Sequence, residues 1–239
     1  MRRIWVKNTM HIKVIAVLTV LLFTSAGHAE TIAVIGTGNV GMALGTEFAA
    51  QGHAIIYGSR SPLSLKTLDL NKKTGPGTTA KRPADAAAGA DVIVLAVPGM
   101  VVEEVVNGLG DVAGKIVIDA TNPLLMDEAM HFSYGVETSN GEIVQAALPG
   151  AYVVKAFNTI SWQQMIDPES ANGPLSVPLL GDHVPAKAFV AKLATGMGLE
   201  PIDLGPLEYS RWTEFAAVVA LNNEFTERQN FDMHLRKID

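Results

Sequence analysis

TIAVIGTGNVGMALG, running from Thr31 to Gly45, is the stretch on which the fold turns. Thr31 to Ile35 ends apolar and β-branched, the composition of a buried strand. It leads into Gly36-Thr37-Gly38-Asn39-Val40-Gly41, a G-x-G-x-x-G, after which Val40, Leu44 and Phe48 recur at helical spacing. In such a turn the first glycine makes the tight bend and the second lets the backbone approach a pyrophosphate. The third lets helix and strand pack closely. The free N–H groups and dipole of the helix start then hold the anion. A bare glycine motif says little, but one between a strand and a helix points to dinucleotide binding.

The next elements specify which dinucleotide. Gln51-Gly52-His53 is a turn, and Ala54 to Tyr57 reads as a second short strand. An NAD site places a carboxylate near the end of that strand for the ribose 2′-OH. Here the place is held by Gly58-Ser59-Arg60, a hydroxyl and a guanidinium with no acid to repel a phosphate. Arg60 would pair with a 2′-phosphate through charge-assisted hydrogen bonds, so the local chemistry selects NADP.

Outward from this core, helical and strand patterns alternate. Pro62–Lys73 reads as a helix carrying Leu63, Leu65, Leu68 and Leu70, and Ala84–Ala90 as a helical turn. Asp91–Val97 is a buried strand ended by Pro98, Val101–Leu109 a helix, and Lys115–Ala120 a strand ended by Thr121-Asn122-Pro123. Glu142–Ala147 is helical, and Tyr152–Ala156 is a strand leading into Phe157-Asn158-Thr159. Pro174–Gly181 and Glu200–Leu204 are strands around a helix over Pro185–Met197, and Glu208–Phe231 is a long terminal helix. The pattern predicts a doubly wound, mostly parallel α/β sheet of the Rossmann type, a single domain over 30–239. Ligands in such sheets bind beyond the carboxyl ends of the strands, which puts Ala96-Val97-Pro98 and Asn122-Pro123 at the edge that holds Gly36 to Gly41.

Composition narrows the function. There are no cysteines among 239 residues, which excludes disulfides, thiolate metal sites and cysteine nucleophiles. Four of the 18 cations (Arg2, Arg3, Lys7, Lys13) lie in the first 29 residues, which hold no acid. The remainder carries 14 cations against 24 acids, a balance of −10. So acidic a body argues against nucleic acid as a partner. The basic start, the apolar run Val14–Ala26 and Gly27-His28-Ala29 form a secretory leader with a cut after Ala29. The run is shorter than the ~20 residues of a spanning helix, so no stable membrane span remains after cleavage. The protein is therefore expected to be exported to the periplasm, or cytoplasmic if the leader does not function. Arg2-Arg3-Ile4-Trp5-Val6-Lys7 resembles the twin-arginine signal, whose pathway carries folded, cofactor-loaded proteins. An ordinary Sec leader fits the same residues.

Six ordered blocks carry a family resemblance: GTGNVG…GSR, DVIVLAVP, IVIDATNP, LPGAYVVKAFNT, VPLLGD…AK and GLEPIDLGPL. Together they resemble the NADPH-dependent deazaflavin (F420-type) oxidoreductases over residues 31–220, and the reductase domain of STEAP-type metalloreductases is similar. The resemblance implies Thr37 to Val40 on the pyrophosphate and Ser59 and Arg60 on the 2′-phosphate. It implies Ala96, Val97, Pro98, Asn122 and Pro123 along the path to the nicotinamide, and Ala156, Phe157 and Asn158 beside that ring. Some deazaflavin-reducing members have histidine at the place of Asn158.

The implied activity is hydride transfer from NADPH to a small-molecule acceptor, either flavin-like (flavin or deazaflavin) or a metal complex. Direct transfer needs no protein acid or base, so no catalytic side chain is assigned. Lys155, at a strand end, reads as a lysine snorkelling out of the core, and His131 and His183 lack metal-ligand spacing. A carbonyl or imine reductase of the pyrroline-carboxylate type would need a further helical domain, for which the 35 residues after Leu204 leave little room. A non-catalytic NADP-binding redox module stays open. The Trp212–Phe225 segment fits either a homodimer surface or a helix that covers the core. Twin-arginine export predicts that Arg2→Lys/Arg3→Lys keeps the precursor in the cytoplasm on cell fractionation; unchanged export would assign the leader to the Sec route.

Overall fold

The computed structural model describes residues 29–171 and 173–225, together with residue 235. The expected leader lies outside these residues apart from Ala29, as does the expected course of the last helix from 226 to 231. The first half of the chain is β1 (Thr31–Ile35), α1 (Asn39–Ala50), β2 (Ala54–Gly58), α2 (Leu65–Thr74), β3 (Thr79–Lys81), α3 (Pro83–Ala88) and β4 (Val92–Leu95). It continues with α4 (Val102–Asn107), β5 (Ile116–Asp119), a small hairpin of β6 (Leu124–Met126) and β7 (Phe132–Tyr134), and α5 (Asn140–Ala147). The last part is β8 (Tyr152–Lys155), α6 (Trp162–Ile166), β9 (Ser176–Leu180), α7 (Val184–Gly196), β10 (Glu200–Gly205) and α8 (Ser210–Phe225).

Eight strands among the described residues form one sheet in the order β10-β9-β8-β5-β4-β1-β2-β3. From β3 to β8 neighbouring strands are parallel, and β9 then joins β8 antiparallel through Lys155 and Leu180, with β10 parallel to β9. Strand order reverses between β1 and β4, the topological switch point where open α/β sheets bind ligands. Alternation along the strands divides the core into two layers. Ile32, Val34, Val92, Val94 and Val154 face α1, α6 and α7, whereas Ala33, Ile35, Ile93, Leu95 and Val153 face α3, α4 and α5. Strands apolar on both faces are what a parallel sheet between helix layers requires.

Several expected boundaries move. The helix after Arg60 begins at Leu65, because the Ser64 hydroxyl accepts from the Thr67 N–H and caps it. Pro62 and Leu63 therefore precede the helix, and Leu63 and Leu65 point to solvent at 85% and 86% exposure. Four elements were not anticipated: β3, the β6–β7 hairpin and α6. Each is short, three to five residues, too few for a periodicity to register. The last helix splits its apolar residues: Ala217 and Val218 are buried, while Trp212, Phe215 and Val219 are exposed.

Phe48 of α1 is fully buried and meets the Phe157 ring edge-on, with centroids 6.0 Å apart. Phe48→Ala should cost about 3–5 kcal/mol of stability in urea unfolding, and a loss below about 1 kcal/mol would contradict this packing.

Candidate functional site

The carboxyl ends of the parallel strands are stitched level with one another. Gly36 N–H donates to Gly58 O at 3.1 Å, Ala96 N–H to Ile35 O at 2.9 Å, Ala120 N–H to Leu95 O at 3.2 Å, and Ala156 N–H to Asp119 O at 3.1 Å. This row brings the expected site residues from five separate parts of the sequence to one sheet edge. Gly36 bends with φ 120°, and a Cβ there would lie 2.2 Å from Ala96 O, so the nucleotide turn sits directly against the end of β4. A Cβ on Gly41 would lie 2.2 Å from Gly36 O. Both positions admit only glycine.

Gly38 differs from its two neighbours in the motif. It is the N-cap of α1, and a Cβ there would meet nothing within 4 Å. Packing around the turn does not require a glycine there, and the space in front of the helix is open. No acidic residue lies in the first turn of α1, and no side chain caps its free N–H groups. An open cradle of unpaired donors at a twelve-residue helix start fits a pyrophosphate.

At the end of β2 the two expected residues part company. Ser59 is buried, and its hydroxyl contacts Thr67 Oγ1 at 3.3 Å and accepts from the Ser61 N–H at 3.1 Å. The Ser59 side chain is thus engaged in building the turn. Arg60 is exposed. Its carbonyl receives a hydrogen bond from Arg82 Nη1, which follows β3. A second exposed guanidinium therefore stands at the end of β2. The sequence reading missed it, because Arg82 is 22 residues from Arg60 and only the β2–β3 pairing, Gly58 beside Lys81, brings them together.

At the other end of the row, Asn122 and Asn158 join their amides. Asn122 Nδ2 donates to Asn158 O at 2.8 Å and Asn158 Nδ2 to Asn122 Oδ1 at 3.0 Å. Asn158 Oδ1 is buried and finds no partner among the described residues. Phe157, between Ala156 and Asn158, has φ 64°. That conformation is rare and costly for a bulky residue and concentrates at functional sites. The buried Phe157 ring and the amide pair hold this corner in place.

Beneath it lies a charged cluster that the sequence reading did not foresee. Lys155 does not snorkel: it has no exposed surface, and its Nζ lies 2.9 Å from Asp119 Oδ2 and 2.6 Å from Glu214 Oε1. It also donates to Thr121 O. Asp119 Oδ1 accepts from Thr121 N–H at 2.9 Å and Thr121 Oγ1 at 2.7 Å. Glu214, equally buried, accepts from Tyr134 Oη at 2.7 Å and from the Asn140 and Gly141 N–H groups at the start of α5. Burial, reinforced by the adjoining Glu214 carboxylate, pushes the Tyr134 hydroxyl well above the usual tyrosine range. Asp119 and Lys155 are opposite in register as the last residues of β5 and β8, a juxtaposition visible in IVID and YVVK once the strands are aligned. Glu214 gives no such sign, since it arrives from a helix 59 residues after Lys155. Among the described residues no group of three or more His, Asp or Glu is placed to hold a metal ion.

Comparison with known proteins converges on one family. The family model described as "NADP oxidoreductase coenzyme F420-dependent" matches residues 31–123. An F420-dependent NADP reductase from Methanothermobacter thermautotrophicus is 32% identical over 212 residues, covering 82% of this chain and 90% of that protein. The chain belongs to this family of NADP-dependent oxidoreductases. A crystal structure of a putative F420-dependent NADP reductase from Arthrobacter sp. FB24 superposes with a TM-score of 0.79 at 32% identity, over 87% of this chain and all of that one. Metalloreductase STEAP3 of Rattus norvegicus is 30% identical over 187 residues, 78% of this chain, which spans about a third (36%) of that relative's length.

Removing the Lys155 ammonium would leave two carboxylates facing each other without water. Lys155→Met should therefore destabilise the protein by about 3–5 kcal/mol, measured by chemical unfolding; a loss near zero would show that the buried pairs contribute nothing.

Proposed function

We propose that this protein transfers hydride between NADPH and a flavin-like acceptor, with side chains that bind and orient and none that exchanges a proton. The observation that carries this reading is the single row at the sheet's switch point. The Arg60–Arg82 pair beyond β2 and β3, the glycine cradle beyond β1 and the Asn122–Asn158 clamp beyond β5 and β8 follow one another along it in the order of 2′-phosphate, pyrophosphate and nicotinamide. NADPH, when bound, supplies the hydride. Thr37, Gly38, Asn39 and Val40 would hold the pyrophosphate through backbone N–H groups. Arg60 and Arg82 would hold the 2′-phosphate, on a turn shaped by Ser59. Ala96, Val97, Pro98, Asn122 and Pro123 would line the path to the ring, and Ala156, Phe157 and Asn158 would flank it.

A flavin-like acceptor is favoured over a metal complex by the coverage of the relatives. The chain spans 90% of a protein named F420-dependent NADP reductase but 36% of STEAP3. Export to the periplasm belongs to the same reading and is supported by Arg2, Arg3 and the apolar run Val14–Ala26. Among the described residues no helix is long and apolar enough to cross a membrane. A homodimer joined through α8 is supported by exposed Trp212, Phe215 and Val219, which share one helix face.

Two measurements test the proposal. Anaerobic NADPH oxidation by the purified protein against FMN, FAD, a deazaflavin and ferric chelates should show turnover with a flavin-like acceptor. Tight binding with no turnover on any of them would instead make the protein a non-catalytic NADP-binding module. Arg60→Ala should weaken NADPH binding by about 1–3 kcal/mol, the range for hydrogen bonds to a charged group, with NADH binding little changed. Equal losses for both nucleotides would remove Arg60 from the 2′-phosphate site.

A further inference from the structure

The cluster around Lys155 does not balance in charge: one ammonium stands between two carboxylates, and all three side chains are completely buried. Every carboxylate oxygen is met by donors. Asp119 Oδ1 accepts from Thr121 N–H and Oγ1, and Oδ2 from Lys155. Glu214 Oε1 accepts from Lys155 and Gly141 N–H, and Oε2 from Tyr134 Oη and Asn140 N–H. Two carboxylates and one ammonium use every one of these donors, and so composed the cluster carries a net charge of −1. The amino end of α5 offsets about half a charge. The nearby Arg211 and Glu142, 3.4 Å apart, cancel one another. A negative remainder is left where water does not screen it. Asp119 and Lys155 end β5 and β8, shortly before Asn122 and Pro123, assigned above to the path to the ring, and directly before Ala156–Asn158, assigned to the ring itself.

We infer that this buried negative charge tunes the redox balance of the bound nucleotide, favouring the oxidised, cationic nicotinamide over the neutral reduced ring. The inference rests on the NADPH reading. When hydride is transferred, a C–H bond at C4 of the dihydronicotinamide breaks and both electrons leave with the hydrogen. The flavin-like acceptor gains them and is reduced, and the ring is left with one positive charge. A fixed negative charge nearby stabilises that product state and so biases the bound couple towards giving hydride up. Glu214 contributes by its field alone, through the cluster it completes.

The test compares dissociation constants of NADP+ and NADPH, measured by calorimetry on the full chain and on Glu214→Gln. That substitution keeps most of the network. The Gln carbonyl can still accept from Lys155 and Gly141, and its Nε2 can donate to Tyr134 Oη, which has Thr138 O 2.7 Å away as an acceptor for its own proton; the Asn140 N–H loses its acceptor. The ratio Kd(NADP+)/Kd(NADPH) should rise on the order of 10-fold in Glu214→Gln, as expected for loss of one buried unit charge. Tyr134→Phe, which leaves the charge in place, should keep the ratio within about twofold. Equal weakening of both nucleotides by Glu214→Gln would make the residue merely structural and overturn the inference. Should that variant fail to fold, the unaltered chain decides: tighter binding of NADP+ than of NADPH supports the inference, and the reverse order overturns it. Failure of the unaltered chain to bind either nucleotide would overturn the NADPH reading itself, and the inference with it.

Discussion

The ammonium of Lys155 joins parts of the molecule that share no other centre. It ends the central strand β8 and meets Asp119 at the end of β5. Through Glu214 it fixes the terminal helix α8 to the start of α5. A charge so placed is tolerable only when fully bonded, because an unpaired buried ion costs far more than a missing hydrophobic contact. The cluster therefore specifies position more than it adds stability. With it in place, the loops after β5 and β8 have one arrangement, and the Asn122–Asn158 clamp forms across them.

The opposite end of the site depends on space. Gly36 and Gly41 are glycines because backbone atoms stand where a side chain would begin, whereas a Cβ on Gly38 would meet only open space. The same residue type thus serves packing at two places, and on the NADPH reading would serve recognition at a third. On the NADPH reading the two ends would meet the nucleotide differently. Backbone N–H groups and arginines would receive the charged phosphates at β1–β3, whereas amides and the charged cluster would lie by the ring at β5 and β8. That division suits a reaction in which charge appears on the ring while the phosphates remain unchanged.

The antiparallel joining of β9 to β8 has a consequence for α8. After β9 and β10 reverse direction, Gly205 lies level with Leu180, and Leu180 with Lys155. The chain therefore leaves the sheet beside the Lys155 cluster and delivers Glu214 after a single turn and one helical rise. That exit, with Glu214 reaching Lys155, ties the terminal helix to the ends of β5 and β8. Phe215 stacks on the Tyr134 ring, 4.5 Å between centroids, next to this contact, while Trp212 and Val219 are exposed.

Much was legible from local order alone. The strand-turn-helix at Thr31–Gly45, the β-branched cores of β4, β5 and β8, and the absence of an acid at Gly58-Ser59-Arg60 imply a doubly wound sheet with an NADP edge. Each of these features depends on neighbours within a few residues. What tertiary structure alone decided were relations between distant residues: Arg82 beside Arg60, Glu214 beside Lys155, and the paired amides of Asn122 and Asn158. Lys155 shows the reason most clearly. From sequence, a lysine in an apolar strand has one inexpensive solution, to reach for water. Whether it can instead stay buried depends on carboxylates supplied 36 residues before it and 59 after, and local propensity carries no information about partners at that separation. The elements that escaped notice, β3, β6, β7 and α6, were too short to show a period, and exist because the surrounding sheet and α8 supply the hydrogen bonds and packing they lack by themselves.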